Sequence, residues 1–86
     1  GFAVLRAHAQ GAIGRIELNR GHVAAALREL AAASRRLAEA GAGPQRCIEA
    51  ESTLADAYLA VNLLPEAVAV YERVIAQATA LDAPTE

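Results

Sequence analysis

Few side chains in this chain have the chemistry and spacing that catalysis or metal binding requires. His8 and His22 lie 14 positions apart, too far along the chain to share a metal ion unaided. Glu49 and Glu51 are two positions apart, so a helix directs them to different faces and not into one acid–base pair. The single Cys47 has no histidine beside it in the pattern, which predicts a small buried thiol rather than a nucleophile. We therefore predict that the chain is not an enzyme and holds no metal or cofactor.

The composition argues against nucleic acid and membranes as partners. The chain has 86 residues and a net charge of −2, and its eight basic residues are scattered arginines. No apolar run approaches the roughly 18 residues of a membrane span, and the N-terminus lacks the zones of a signal peptide. One cysteine allows no intramolecular disulfide, which predicts a reducing, cytoplasmic location. The chain contains no methionine, so we interpret it as a piece of a longer protein.

The elements that position the polar side chains are predicted to be helices. Apolar residues recur at steps of three and four, which favours helices over about 2–20, 22–40, 44–62 and 65–81. Gly21, Asn62 and the segment 41–44 break the pattern, and 82–86 ends the last helix. No strand-like alternation occurs, so the fold class is all-α. The predicted buried stripes, helix by helix, are Leu5, Ala9, Ala12, Ile13 and Ile16; Val23, Ala26, Leu27, Leu30, Ala33 and Leu37; Cys47, Ile48, Leu54, Ala55, Tyr58 and Val61; and Ala67, Val70, Tyr71, Val74, Ile75 and Ala78.

The two halves of the chain repeat one pattern. Three pairs of equivalent residues lie 41 positions apart: Gly14 and Ala55, Ala26 and Ala67, Leu30 and Tyr71. A fixed offset in this range is typical of arrays of paired helices. The small residues in these pairs would let the two helices of a unit cross closely. We predict one domain over 1–86, made of two stacked helix–turn–helix hairpins, with repeat one at about 2–40 and repeat two at about 44–81.

These residues resemble tetratricopeptide repeats. The second half carries Leu54-Ala55, Tyr58, Asn62, Leu64, Ala67, Tyr71 and Val74, and the first half carries Ile13-Gly14, Gly21, Val23, Ala26, Leu30 and Ala33. Glu17 departs from the pattern, since it stands where the first unit should carry an aromatic. An offset of 41 exceeds the usual 34 residues and is similar to the long repeats of kinesin light chains and of many bacterial proteins. The composition, rich in Ala and Arg and without Lys, indicates a GC-rich bacterium. By association with the family, such arrays in bacteria flank caspase-like CHAT protease domains or lie in large transcriptional regulators.

The resemblance also implies a function, which is protein–protein interaction through an α-solenoid fragment. In this family the first helix of each unit lines a concave groove that accepts a peptide or helix of a partner. By position, the groove residues would be His8, Arg15, Asn19, Glu49, Ser52, Asp56, Leu59 and Leu63. Arg15 and Asp56 are equivalent positions and could pair across the groove. The competing interpretation is that these residues form ordinary solvated faces.

A second function follows from the small number of repeats. About three units are usually needed for stability, so two units leave apolar ends exposed. We expect one end near Phe2 and Leu5, and the other near Val70, Val74 and Ile75. The alternative function is therefore self-assembly, with the chain acting as an oligomerisation module of a larger bacterial regulatory or protease protein.

Overall fold

The computed structural model describes residues 2–82 and confirms four helices. They are α1 (Phe2–Asn19), α2 (Val23–Glu39), α3 (Pro44–Ala60) and α4 (Leu64–Asp82), and no strand occurs within the described residues. Each helix begins and ends within two residues of its predicted bounds. The segment 83–86, predicted to follow the last helix, lies outside the described residues. The fold is all-α, as the sequence predicts.

The helices pack in series as two stacked hairpins. α1 packs on α2, α2 on α3 and α3 on α4, and no other pair of helices in residues 2–82 packs to a similar extent. The Cα atoms extend over 47 × 32 × 15 Å, so the molecule is much longer and wider than it is thick. A closed four-helix bundle would also require α1 to pack on α4. The serial arrangement leaves the space between α1 and α3 open on one side.

The turns inside the two hairpins are built in the same way. Gly21 and Asn62 both adopt left-handed backbone angles, with φ of 81° and 63°. The backbone N–H of Gly21 donates to Leu18 O at 3.0 Å, and that of Asn62 donates to Leu59 O at 3.0 Å. These bonds belong to the Schellman motif, which ends a helix by satisfying its last carbonyls. The predicted turn positions and their 41-residue offset are therefore confirmed.

Small residues lie where the helices of each hairpin approach most closely. Gly14, Ala26, Ala55 and Ala67 are all buried, as the repeat pattern predicts. A Cβ atom added to Gly14 would lie 2.8 Å from Leu30 Cγ, which is closer than van der Waals contact allows. The crossing of α1 and α2 therefore depends on the absence of a side chain at this position.

The core of the described residues is small and centres on the contact between α2 and α3. Its buried members are Leu30, Leu54, Ala55, Ala57 and Val70. Both tyrosines pack against this cluster but remain half-buried. Because the core joins both hairpins, each hairpin stabilises the other.

The predicted stripe of α2 is confirmed for four of its six residues, since Val23 and Leu27 are half-buried, whereas the predicted stripe of α1 is wrong. In α2, Ala26, Leu30, Ala33 and Leu37 are buried. In α1, the buried residues are Ala7 and Gly14. The four residues of the predicted stripe that are exposed instead are Leu5, Ala9, Ile13 and Ile16. The apolar stripe of α1 points away from α2, because α2 contacts the face that has the smallest side chains.

The end of the molecule formed by α4 also differs from the prediction. Ile75 is exposed. Its exposure agrees with the predicted apolar end of the molecule and disagrees with the predicted buried stripe of α4. Val70, predicted for the same apolar end, is buried in the core instead, and Val74 is half-buried. The large apolar residues exposed on this helix are Leu64, Val68, Ile75 and Leu81, so only Ile75 of the three predicted residues is among them. Val70 and Val74 lie on the α3 side of α4, which removes them from its free face.

Candidate partner-binding groove

A groove of about 460 Å³ runs between α1 and α3, with α2 as its floor. It exists because α1 and α3 both pack on α2 and pack little, if at all, on each other. Its volume falls in the range of about 300–1,000 Å³ that is typical of ligand sites. The groove is open to solvent along its length, so it suits an extended segment better than an enclosed small molecule.

The groove is shallow, and its floor and lower walls are apolar. The floor consists of Leu30, Ala33 and Leu37, which α2 contributes from its buried stripe. The lower walls carry small residues, among them Gly11 and Ala50. Small side chains at these positions leave room for the side chains of a bound segment.

The rim of the groove is polar and carries more positive than negative charge. His8 and Arg15 line it from α1, and Arg46 and Glu49 line it from α3. Within residues 2–82, neither of these arginines forms an ion pair with another side chain of the chain. Thr53 is already occupied, since its hydroxyl donates a 3.0 Å hydrogen bond to the backbone oxygen of Glu49. The two arginines are therefore the strongest donors that the rim offers to a ligand.

The structure brings together three of the eight residues predicted for the groove. His8, Arg15 and Glu49 line it. The residues that do not line it are Asn19, Ser52, Asp56, Leu59 and Leu63. Of these, all but Ser52 are exposed. The groove therefore lies along residues 7–15 of α1 and 45–53 of α3 and does not continue to the C-terminal ends of these helices.

Asp56 interacts with a tyrosine of the neighbouring helix and not with Arg15. The hydroxyl of Tyr71 donates a hydrogen bond to Asp56 Oδ1. This hydrogen bond raises the pKa of Tyr71 above its ordinary value of 10.0, with further contributions from burial and from the negative charge of Asp56. The pair between Arg15 and Asp56 suggested by the 41-residue offset is not formed. Asp56 instead joins α3 to α4.

Sequence reasoning missed Arg46 and the floor of the groove. Arg46 is equivalent to Leu5 in the first unit, so the repeat offset does not point to a polar lining residue there. The floor residues are the buried stripe of α2, which the sequence predicts as core. A stripe can serve both purposes because α2 contacts α1 and α3 on either side and leaves a strip between them. That double role becomes visible only from the positions of all three helices.

Other kinds of site find little support in the described residues. Residues 2–82 contain no group of three or more His, Cys, Asp or Glu side chains that could hold a metal ion. No helix in the same range combines the length and the apolar character needed to cross a bilayer. Cys47 is a free thiol. The sequence predicts that it is buried, whereas the structure shows it half-buried.

Glu17, which departs from the repeat pattern, binds polar groups at the first turn. Its carboxylate lies 2.8 Å from His22 Nδ1 and 3.9 Å from Arg20 Nη1. The equivalent Tyr58 packs on the core instead. Glu17 therefore interacts with Arg20 and His22 beside the turn and does not line the groove.

Comparison with known proteins adds no relative. No protein-family model, no curated protein and no solved structure matches the chain. Its membership of the tetratricopeptide repeats therefore stays a prediction.

Proposed function

We propose that this chain is a protein-interaction module that binds a peptide or a helix of a partner in the groove between α1 and α3. The observation that carries the proposal is an open groove lined by small apolar residues, with two arginines on its rim that form no ion pair within residues 2–82. Interaction sites commonly place polar groups around an apolar centre in this way.

The rim indicates the chemistry of the partner segment. Arg15 and Arg46 come from opposite walls, and Glu49 is the one acidic residue in the lining. A segment with apolar side chains and at least one carboxylate would satisfy both parts of the site. We therefore propose an acidic, amphipathic segment as the ligand, and a basic segment as a poor one.

Selection from a phage-displayed library of random peptides tests this proposal. Peptides that bind the chain should combine apolar residues with Asp or Glu. A synthetic copy of a selected peptide should bind at least about tenfold more weakly to Arg15→Glu/Arg46→Glu, because the reversed charges repel its carboxylate. Fluorescence anisotropy of the labelled peptide measures the affinity.

Two matched controls separate loss of the groove from loss of the fold. Arg28→Glu reverses the charge of an exposed arginine on α2 that does not line the groove, and it should leave the affinity unchanged. Ala12→Leu narrows the groove and should weaken binding, whereas Ala24→Leu on the exposed side of α2 should not. Selected peptides that bind all four variants equally well would refute the proposal.

A further inference from the structure

The two arginines on the rim of the groove lie at opposite ends of it. Arg15 follows Gly14, which packs on Leu30 of α2. Arg46 is the third residue of α3, and a short turn connects α3 to the end of α2, so Arg46 lies at the end of the groove that carries Leu37. Leu30 and Leu37 are seven positions apart in α2. At 1.5 Å per residue, the two arginines are therefore separated by about 10 Å along the groove.

The two arginines also lie on opposite walls. Arg15 belongs to α1 and Arg46 to α3, and both of these helices pack on α2. Neither side chain forms an ion pair within residues 2–82. A ligand that pairs with both arginines must therefore present one carboxylate to each wall, and these carboxylates must be about 10 Å apart along the groove.

An extended segment meets both requirements at one spacing of its acidic residues. Its residues advance by about 3.3 Å each, and successive side chains point to opposite sides. Acidic residues at positions i and i+3 therefore face opposite walls and span about 10 Å. Acidic residues two or four positions apart face the same wall, so such a segment pairs with only one arginine. The i and i+3 spacing meets Arg15 and Arg46 whichever way the segment runs.

The single acidic residue of the lining adds a further restriction. Glu49 lies on the same wall as Arg46, three residues farther along α3, which is about 4.5 Å. The ligand residue two positions from the acid that meets Arg46 faces this wall, about 6.6 Å along the groove. An acidic residue there would be repelled by Glu49. His8, on the other wall, carries no negative charge and imposes no such restriction.

A helical ligand is less compatible with the groove. In a helix, positions i and i+3 are separated by only about 4.5 Å along the axis and lie on one face. A helix about 10 Å across also occupies about 800 Å³ over the 10 Å between the arginines, whereas the groove holds about 460 Å³. Both the volume and the positions of the arginines therefore favour an extended segment over a helix.

We infer that the groove binds extended segments in which two acidic residues are three positions apart, with uncharged residues between them. One acidic residue pairs with Arg15 and the other with Arg46. This inference rests on the function proposed above, and it adds the conformation of the ligand and the spacing of its acidic residues.

A series of synthetic peptides with one composition tests the spacing. Each peptide has a fluorophore on its N-terminus, an amide at its C-terminus, and two Asp residues in a background of Ala, Leu and Ser. The two Asp residues are two, three, four or seven positions apart. The peptide with a spacing of three should bind at least about fivefold more tightly than those with a spacing of two or four, because only it pairs with both arginines. Fluorescence anisotropy measures the affinities.

The outcomes separate this inference from the proposed function. Equal affinities at all spacings, combined with weaker binding to Arg15→Glu/Arg46→Glu, would overturn the inference and leave the proposed function standing. Tightest binding at a spacing of seven, which covers about 10 Å in a helix, would overturn the extended conformation alone. No binding by any peptide of the series, or binding that the double charge reversal does not weaken, would overturn both.

Single arginine variants provide a second measurement. In Arg15→Ala and in Arg46→Ala, the preference for a spacing of three over a spacing of four should disappear, because only one arginine remains to be paired. Arg28→Ala, on the exposed side of α2, should keep the preference. All three arginines are exposed, so the variants are expected to fold. A preference that survives in both Arg15→Ala and Arg46→Ala would overturn the inference.

Discussion

Two glycines of α1, three positions apart, have different reasons to be glycine. A Cβ added to Gly14 would meet Leu30 Cγ at 2.8 Å and Glu29 Cβ at 3.2 Å. A Cβ added to Gly11 would meet only Ala33 Cβ at 3.7 Å, an ordinary contact. Leu30 is buried and has little room to move. Gly14 is therefore required by packing, whereas Gly11 is not.

Alanine at these two positions should have opposite effects on stability. Gly14→Ala should lower the free energy of unfolding. The overpacking cost of about 1–3 kcal/mol equals or exceeds the gain of about 1 kcal/mol in helix propensity. Gly11→Ala should leave stability unchanged or raise it by up to about 1 kcal/mol. Urea denaturation followed by circular dichroism measures both, with Gly14→Val as a larger version of the first change. Equal stability of the two alanine variants would contradict the packing role of Gly14.

The hydrogen bond between Tyr71 and Asp56 predicts an altered titration of the tyrosine. The raised pKa of Tyr71 means that folding favours the protonated phenol, so this contribution to stability is present below pH 10.0. It is lost as the pH rises through the folded-state pKa. In a Tyr58→Phe background, ultraviolet absorbance of tyrosinate should therefore report a pKa above 10.0.

Two substitutions of Asp56 separate the causes of that shift. Asp56→Ala removes the acceptor and the charge, and should return the pKa of Tyr71 toward its ordinary value. Asp56→Asn keeps an acceptor, and should return the pKa only in part, because the hydrogen bond is the largest cause. An unchanged titration in Asp56→Ala would show that the two side chains do not interact in solution.

At the level of elements, the turns were the part best predicted from the sequence. Left-handed residues at a helix end are recognisable because glycine and asparagine tolerate that backbone region. Gly21 and Asn62 both adopt it, and the second backbone bond of each turn is the same, with His22 N donating to Glu17 O and Leu63 N donating to Tyr58 O at 2.9 Å. Local rules are sufficient here, since no distant residue is needed to form the turn.

Substitutions at Asn62 test the turn geometry. Asn62→Ala should lower the free energy of unfolding by about 1 kcal/mol, because an alanine side chain clashes in the left-handed region. Asn62→Gly should be neutral or slightly stabilising, since glycine adopts that region readily. Thermal unfolding of both variants compares them directly. If Asn62→Ala and Asn62→Gly changed the stability equally, the result would be inconsistent with a φ of 63° at this position.

The buried face of α1 could not be predicted in the same way. The apolar pattern points to Leu5, Ile13 and Ile16, yet α2 packs on the side of Ala7 and Gly14. Short side chains bring two helices close together and contribute little apolar surface, so periodicity gives such a face little weight. Only the position of the neighbouring helix distinguishes the two faces.

For the whole molecule, equivalent positions in the two hairpins have different environments. Leu54 lies under α2 in the core, and its equivalent Ile13 lies on the free face of α1. The repeat therefore conserves backbone geometry more than burial. The groove also depends on the position of α2, because it forms where α2 packs between α1 and α3 and holds them apart.

Truncation at this pair of positions should show that difference. Leu54→Ala should cost about 2–5 kcal/mol, as is typical of a buried leucine. Ile13→Ala should cost less than about 1 kcal/mol when measured at low protein concentration, where association does not contribute. Urea denaturation of the two variants makes the comparison. Similar losses at both positions would contradict the serial packing of the helices.

The sequence also predicted part of the groove and could not predict the rest. His8, Arg15 and Glu49 follow from their positions on the first helices of the two units. Asp56 was expected there too, but the Tyr71 hydroxyl on α4 binds it. Such competition between partners depends on side-chain geometry across helices, which an offset in the sequence does not contain.

The measurement that tests the central claim most directly is an NMR titration of the isotope-labelled chain with a selected acidic peptide. If the groove is the binding site, intermolecular contacts should appear at Ala12, Ala50 and Thr53, with amide shifts at Gly11. The exposed apolar residues Ile13 on α1 and Ile75 on α4 should remain unaffected. Contacts confined to the faces that carry Ile13 or Ile75, with Ala50 and Thr53 unchanged, would contradict the account.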